Sequence, residues 1–173
     1  MAKNKIKQLS KTALIKRLKG VKLLTLDVDG VQTDGGLYYT ETGEQLRKFN
    51  VRDGVGIKSA MAAGVAIAIV TASTTPSIAH RGRILGVPHV FIGVEDKLSA
   101  VTGLCDDLGI DLAEVAHMGD DLNDLPLLQG IGLPLTVADA VPEVLEAVIY
   151  ATIKEGGAGA VREICDLIAE AKA

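Results

Sequence analysis

Asp27 and Asp29 stand two residues apart at the end of an apolar run, in Thr25-Leu26-Asp27-Val28-Asp29-Gly30. Carboxylates that close repel unless a cation or a shared proton lies between them. A hard ion that takes oxygen ligands, such as Mg²⁺, meets that need. A second acidic cluster, Gly119-Asp120-Asp121-Leu122-Asn123-Asp124, follows another apolar run. Asp121 and Asp124 also suit a helix N-terminus, where a carboxylate satisfies free backbone N–H groups. Five carboxylates converging on one edge with nothing cationic among them would be electrostatically unreasonable without a metal. Thr71 closes a third run, and its hydroxyl can donate to a phosphoryl oxygen. Lys97 opens a helical segment, where the positive end of the helix dipole disfavours a lysine that has no anion to meet. Together these parts suit phosphoryl transfer, in which charge spread over oxygens calls for fixed donors and a divalent ion.

Such residues must be brought to one place by the elements that precede them. Apolar runs of strand length recur at Val21–Leu26, Val65–Val70, His89–Ile92, Val115–Met118 and Ile131–Leu135. Between and after them, Val55–Ala63, Pro76–Leu85, Lys97–Leu108, Leu122–Gln129, Pro142–Ala147 and Ala160–Ala171 read as helices. This alternation predicts an α/β fold, a Rossmann-like three-layer α/β/α sandwich around a parallel sheet. In sheets of that kind ligands bind beyond the carboxyl ends of the strands, where each candidate residue falls. If the first strand persists to Asp29, period-two geometry sends Asp27 and Asp29 to the same side. One interval departs from the alternation: Leu37–Thr40 and Gln45–Phe49 predict a β-hairpin over 37–49.

Composition narrows the field. A chain of 173 residues fits one domain, and 48% hydrophobic with only 3% aromatic residues means a core of Ala, Val, Ile and Leu. A net charge of -4 supplies no basic field for nucleic acid. Cys105 and Cys165 lack ligand spacing and read as reduced packing residues, which suits a cytoplasmic protein. His80, His89 and His117 share no metal-like spacing either. Near the N-terminus, Ile6, Leu9, Ala13 and Leu18 predict a short solvated helix rather than an export signal or membrane anchor. Gly156–Gly159, within a tail segment of about 154–160, reads as flexible.

The ordered set Asp-x-Asp, Thr, Lys, Gly-Asp-Asp-x-x-Asp, each after its own strand, resembles the haloacid dehalogenase superfamily of phosphatases. The resemblance implies that Asp27 attacks phosphorus while Asp29 protonates the leaving oxygen and then activates water. It further implies that Asp27, the Asp29 carbonyl and Asp120 hold Mg²⁺, with Asp121 and Asp124 as further ligands or supports. Thr71 and Lys97 would hold the phosphoryl oxygens. No cap domain separates Asp27 from Thr71, so a capless, open member is expected.

Five local sequences narrow the resemblance to the branch of this superfamily that acts on phosphorylated sugar acids: Asp27-Val28-Asp29-Gly30-Val31, Phe49-Asn50-Val51-Arg52-Asp53-Gly54, Met118 to Asp124, Val137-Ala138-Asp139-Ala140 and Gly156 to Glu163. That branch implies a substrate such as the 8-phosphate of 3-deoxy-D-manno-octulosonate, with nonulosonate 9-phosphates as the alternative, and a place in lipopolysaccharide biosynthesis. It implies a homotetramer assembled through the hairpins, with the Gly-rich tail reaching a neighbouring site. Asn50, Val51, Arg52, Asp53, Gly54, Lys58 and Arg81 are the implied substrate-facing residues. The chain departs from the pattern at Thr71-Ala72-Ser73-Thr74, where Gly-Arg commonly follows the Thr, and at Lys58 and Gln32. A phosphoacceptor receiver uses similar residues, but its phosphorylated Asp ends a middle strand and its Lys comes last. A noncatalytic regulatory domain would not need the complete Asp27, Asp29, Lys97 and Asp120 set.

Overall fold

The computed structural model describes residues 8–173. Ser10 starts the first helix, α1 (Lys11–Leu18), by accepting the Ala13 N–H on its hydroxyl at 3.3 Å. Leu14 and Leu18 bury against the core, while Ile6 of the expected apolar stripe lies outside the described residues. A six-stranded parallel sheet follows, ordered β5 (His89–Phe91), β4 (Ala66–Val70), β1 (Leu23–Leu26), β6 (Val115–Met118), β7 (Leu133–Thr136) and β8 (Tyr150–Ala151). The α/β expectation holds, and β8, two residues at the sheet edge, is the strand the apolar pattern did not reveal.

Strand alternation divides the core into two layers. Leu24, Leu26, Ile67 and Ile69 pack on one face with Leu14, Ile57, Ile164 and Ile168. Leu23, Ala68 and Val70 pack on the other with Val101, Leu104 and Leu127. The first layer is covered by α1, α2 (Val51–Ala62) and α7 (Ala160–Lys172), the second by α4 (Lys97–Leu108) and α5 (Leu125–Gly130). Helices α3 (Pro76–Leu85) and α6 (Pro142–Ala147) match the predicted bounds, as do α4 and β6. Helix α2 starts four residues earlier than expected, since Asn50 caps it through the Arg52 N–H at 2.9 Å while Gly54 and Gly56 disguise its first turns. Among the described residues no helix is long and apolar enough to cross a membrane.

The hairpin forms, but with strands of only two residues, β2 (Tyr38–Tyr39) and β3 (Gln45–Leu46), paired antiparallel. Its faces are exposed, so no core extends the ladder to the predicted length. The Gly-rich segment makes backbone contacts with its surroundings. Gly156 donates to Asp139 Oδ1 at 2.9 Å and Gly157 donates to the Val31 carbonyl at 3.1 Å. A Cβ at Gly156 would overlap the Gly30 carbonyl, so glycine there lets the tail press against the turn after β1.

Candidate active site

Parallel register brings the ends of β4, β1 and β6 to one edge of the sheet, with Leu26 level with both Ile69 and Met118. Asp27 continues from β1 and donates its N–H to the Met118 carbonyl at 3.0 Å. The strand stops at Leu26, however, and Asp29 lies in a turn. Period two therefore does not orient Asp29, a correction to the sequence reading. That turn is held from below by Gln32, whose amide donates to the Asp27 carbonyl at 2.9 Å. At Gly30 (φ 80°) the turn passes so close to Asp120 that any Cβ would overlap its carboxylate.

Lys97 is the pivot of the cluster. It sits in the first turn of α4 with its side chain 1% exposed, donating to Asp27 Oδ2 at 2.8 Å and to Asp124 Oδ1 at 2.6 Å. Two carboxylates are thus the anions that a lysine at this helix start meets, and one of its three N–H donors remains for a ligand. Burial alone works to lower the lysine's pKa, but the charges of Asp27 and Asp124 prevail and raise it.

Asp124 is saturated with donors. Its Oδ1 also accepts from His117 Nε2 at 3.0 Å, and its Oδ2 accepts the backbone N–H groups of Asp120 and Asp121 at 3.1 and 3.3 Å. Burial opposes its ionisation, yet His117 and Lys97 outweigh that and hold its pKa down at about 2. Its donors occupy the lone-pair sites a carboxylate offers, so Asp124 organises the loop rather than offering itself to an ion, although an oxygen of each of Asp27, Asp120 and Asp124 lies within 4.8 Å of the others. Asp121 caps the following 3₁₀ turn by accepting the Leu122 N–H at 2.7 Å, so the capping and site readings of this motif coexist.

His117 was not singled out by its spacing, and it has a part here. Fully buried on β6, it lies between Thr25 Oγ1 (2.8 Å) and Asp124. Its Nδ1 also lies 3.2 Å from the Thr25 carbonyl, so the ring bridges β1 and the acidic loop. The signal available in the sequence was a histidine inside an otherwise apolar strand, two residues before the acidic loop.

Asp120 is the opposite of Asp124. Its Oδ1 is buried without a hydrogen-bond partner. Burial, then the charges of Asp27, Asp124 and Asp121, push its pKa up to about 7. Asp27 is likewise raised by burial and by Asp124, against the pull of Lys97. One ammonium among three close carboxylates leaves excess negative charge and an orphaned oxygen, the condition that a divalent cation relieves. The residues present fit Mg²⁺, with Asp27 and Asp120 as the carboxylates having lone pairs to give.

Asp27 and Asp120 line a cleft of about 270 Å³ with Asp29, Gly35, Thr71, Ala72, Ser73 and Asn123. Thr71 is buried and accepts the Ser73 N–H at 3.2 Å, which leaves its O–H to donate into the cleft. A larger cavity of about 600 Å³, lined by Arg17, Leu128, Pro134 and Ile149 among others, contains none of the converging carboxylates, and we assign no chemistry to it. The hairpin contributes Arg47, whose guanidinium grips both oxygens of Asp29 at 2.7 and 2.9 Å and reaches Ser73 Oγ at 3.0 Å. Nothing in the spacing of the sequence announced this residue.

The expected substrate-facing set is not among the residues lining the cleft of the same chain. Asn50 and Asp53 instead tie α2 to the C-terminal segment: Asn50 Nδ2 donates to the Gly157 carbonyl at 2.9 Å, and Asp53 Oδ1 accepts the Arg162 N–H at 2.8 Å. Arg81 donates to the Asn50 carbonyl at 3.0 Å, lies over the Phe49 ring and packs closely beside Gly54. Val51, Arg52 and Lys58 are exposed.

Comparison with known proteins agrees with this geometry. The profile of the haloacid dehalogenase-like hydrolases matches residues 89–164. The 3-deoxy-D-manno-octulosonate 8-phosphate phosphatase of Escherichia coli (strain K12) is 42% identical over 155 residues, covering 90% of this chain and 82% of that protein. The crystal structure of the Moraxella catarrhalis phosphatase of the same name, in complex with a magnesium ion, a phosphate ion and a KDO molecule, superposes with a TM-score of 0.89 at 36% identity over 92% of each chain. The phosphatase of the same name from Yersinia pestis also gives 0.89, at 42% identity over 91% of this chain and 85% of that one. A likeness that extends over almost the whole chain, together with an acidic cluster at the carboxyl edge of the sheet, makes this chain a member of the haloacid dehalogenase-like hydrolase family.

Proposed function

We propose that this chain is a Mg²⁺-dependent phosphatase that hydrolyses 3-deoxy-D-manno-octulosonate 8-phosphate to the free sugar acid and phosphate. The observation that carries the reading is the pairing of Asp27, fixed by Lys97, with Asp120, whose buried oxygen has no partner. Asp27 and Asp120, with the Asp29 carbonyl, would hold the ion, which when bound supplies the positive charge that phosphoryl oxygens and these carboxylates lack.

In this reading the Thr71 hydroxyl and the free N–H of Lys97 orient the phosphoryl oxygens. An Asp27 oxygen forms a bond to phosphorus as the bond to the sugar oxygen breaks, and Asp29 delivers a proton to that leaving oxygen. Water then attacks the phosphorus of the aspartyl phosphate, Asp29 takes its proton, and Asp27 is released. Splitting the displacement in two lowers each barrier, and a positioned acid–base group contributes about 10²–10⁴-fold.

Leu37, Tyr38, Tyr39 and Leu46 expose apolar surface on the hairpin, which supports a homotetramer joined there. In that assembly the exposed Val51, Arg52 and Lys58, with Asn50 and Arg81 beside them, would serve the sugar acid in a neighbouring site, while the buried Asp53 and Gly54 support them from beneath. We read the enzyme as cytoplasmic, consistent with two free, buried cysteines. The test is phosphate release by the purified protein with Mg²⁺ from the eight-carbon substrate, a nonulosonate 9-phosphate and a hexose phosphate in parallel. Preference for the first is expected. Preference for the nine-carbon acid would transfer the enzyme to that substrate, and no turnover of any phosphomonoester would overturn the reading.

A further inference from the structure

We propose that Arg47 is a positioning residue for the proton transfers of Asp29, so that the hairpin takes part in the chemistry. The proposal rests on the reading of Asp29 as the acid–base group. Asp29 lies in a turn with its side chain 36% exposed, and nothing in the strand pattern fixes its orientation. Arg47 does, through a two-pronged contact of Nε to Oδ1 at 2.7 Å and Nη2 to Oδ2 at 2.9 Å, with its own side chain only 2% exposed.

Two further donors of Arg47 are tied as well. Nη2 donates to Ser73 Oγ at 3.0 Å and Nη1 to Gln45 Oε1 at 3.4 Å. Ser73 Oγ and Thr75 Oγ1 are 3.1 Å apart, and Thr75 Oγ1 donates to the same Gln45 oxygen at 3.1 Å. The ring Arg47–Ser73–Thr75–Gln45 thus closes on itself and joins β3 to the loop that carries Thr71. A guanidinium has five N–H donors, and four of them are engaged, so Arg47 in this arrangement holds protein groups rather than substrate. Each Asp29 oxygen accepts one of these bonds and keeps a lone pair for a proton shared with the leaving oxygen or with water.

Leaving-group chemistry separates positioning from scaffolding. An alkyl phosphate needs its leaving oxygen protonated, whereas the p-nitrophenolate of p-nitrophenyl phosphate departs without help. The experiment measures kcat and KM of Arg47→Ala, Arg47→Lys and Asp29→Asn with Mg²⁺ on both substrates. For Arg47→Ala we expect kcat on the sugar-acid phosphate to fall on the order of 10²-fold, KM to move by less than about threefold, and the aryl phosphate to lose far less. Arg47→Lys keeps the charge but not the fork and should lie between the wild type and Arg47→Ala. The double variant Asp29→Asn/Arg47→Ala should be no slower than Asp29→Asn alone. Equal loss on both substrates, or no loss, in Arg47→Ala while Asp29→Asn shows the selective pattern would overturn the proposal. Absence of the selective pattern in Asp29→Asn would instead remove Asp29 from its role, and the proposal with it.

Discussion

The sheet edge lines the cleft directly, whereas the hairpin acts on it through Arg47, which holds the lining residues Asp29 and Ser73. At the edge, Lys97, Asp124, His117 and Thr25 form a buried network in which Asp124 meets four donors. At the hairpin, two strands of two residues each stand largely in solvent, and Arg47 reaches the cleft from their base. The edge is specified by packing from both layers of the sandwich, while the hairpin is specified by a few hydrogen bonds. Substitutions within the Lys97–Asp124–His117 network should therefore cost folding and chemistry together, and substitutions on the hairpin should cost chemistry or assembly with little loss of fold.

The largest effect should come from Asp27→Asn, with a fall in kcat on the order of 10⁴-fold or more in a protein whose circular dichroism is unchanged. Turnover close to wild type in this variant would remove Asp27 from its role. Asp124→Asn probes the edge as structure: it turns an acceptor of four bonds into an amide facing donors and leaves Lys97 with half its partners. Urea unfolding should show a loss of about 3 kcal/mol or more, and a loss below about 1 would mean that the network is looser than drawn.

Asp120 supplies a pH test with a defined sign. Its folded pKa is raised to about 7, above the ordinary carboxylate value, so in metal-free protein its charged form costs stability as pH rises through 7, and protonation relieves that cost below it. Metal competes with that proton. A fixed Mg²⁺ concentration should therefore raise Tm more at pH 8 than at pH 6: an ion at a hundred times its Kd adds about 2.7 kcal/mol of stability at pH 8, and roughly tenfold competition by the proton at pH 6 removes about 1.4 kcal/mol of that. Asp120→Asn should abolish the difference and stabilise the metal-free protein at pH 8. An equal shift at both pH values would separate Asp120 from the ion.

The smallest effect on the fold belongs to the hairpin tip. Tyr38→Glu with Tyr39→Glu places charge on residues 55% and 61% exposed, so the stability of one chain should change by about 0.5 kcal/mol or less. Light scattering should nevertheless report a mass below that of the proposed tetramer, and an unchanged mass would count against a hairpin interface.

This division also decided what could be read in advance. Asp27, Thr71, Lys97 and Asp120 each follow a strand whose apolar run was visible, and a parallel register then gathers their positions at one edge. The bounds of α3, α4, α6 and β6 followed from Pro and Gly punctuation and from the apolar runs themselves. Arg47 and His117 escaped because their importance comes from tertiary contacts across 18 and 92 residues, for which no local periodicity exists. Asp53 and Asn50 belong to a recognisable local sequence, yet within one chain their partners lie in the C-terminal segment rather than in the cleft. Gly156 and Gly157 were read through glycine's permissiveness, while the close approach of the tail to the turn after β1 is a tertiary contact with no local signal.

Covalent capture of phosphorus by Asp27 is tested most directly by rapid acid quenching during turnover followed by peptide mass spectrometry. A phosphoryl group should appear on the peptide containing Asp27, only when Mg²⁺ and substrate are both present, and vanish in Asp27→Asn. Its appearance on another residue, or steady turnover with no phosphorylated peptide at any quench time, would contradict the mechanism.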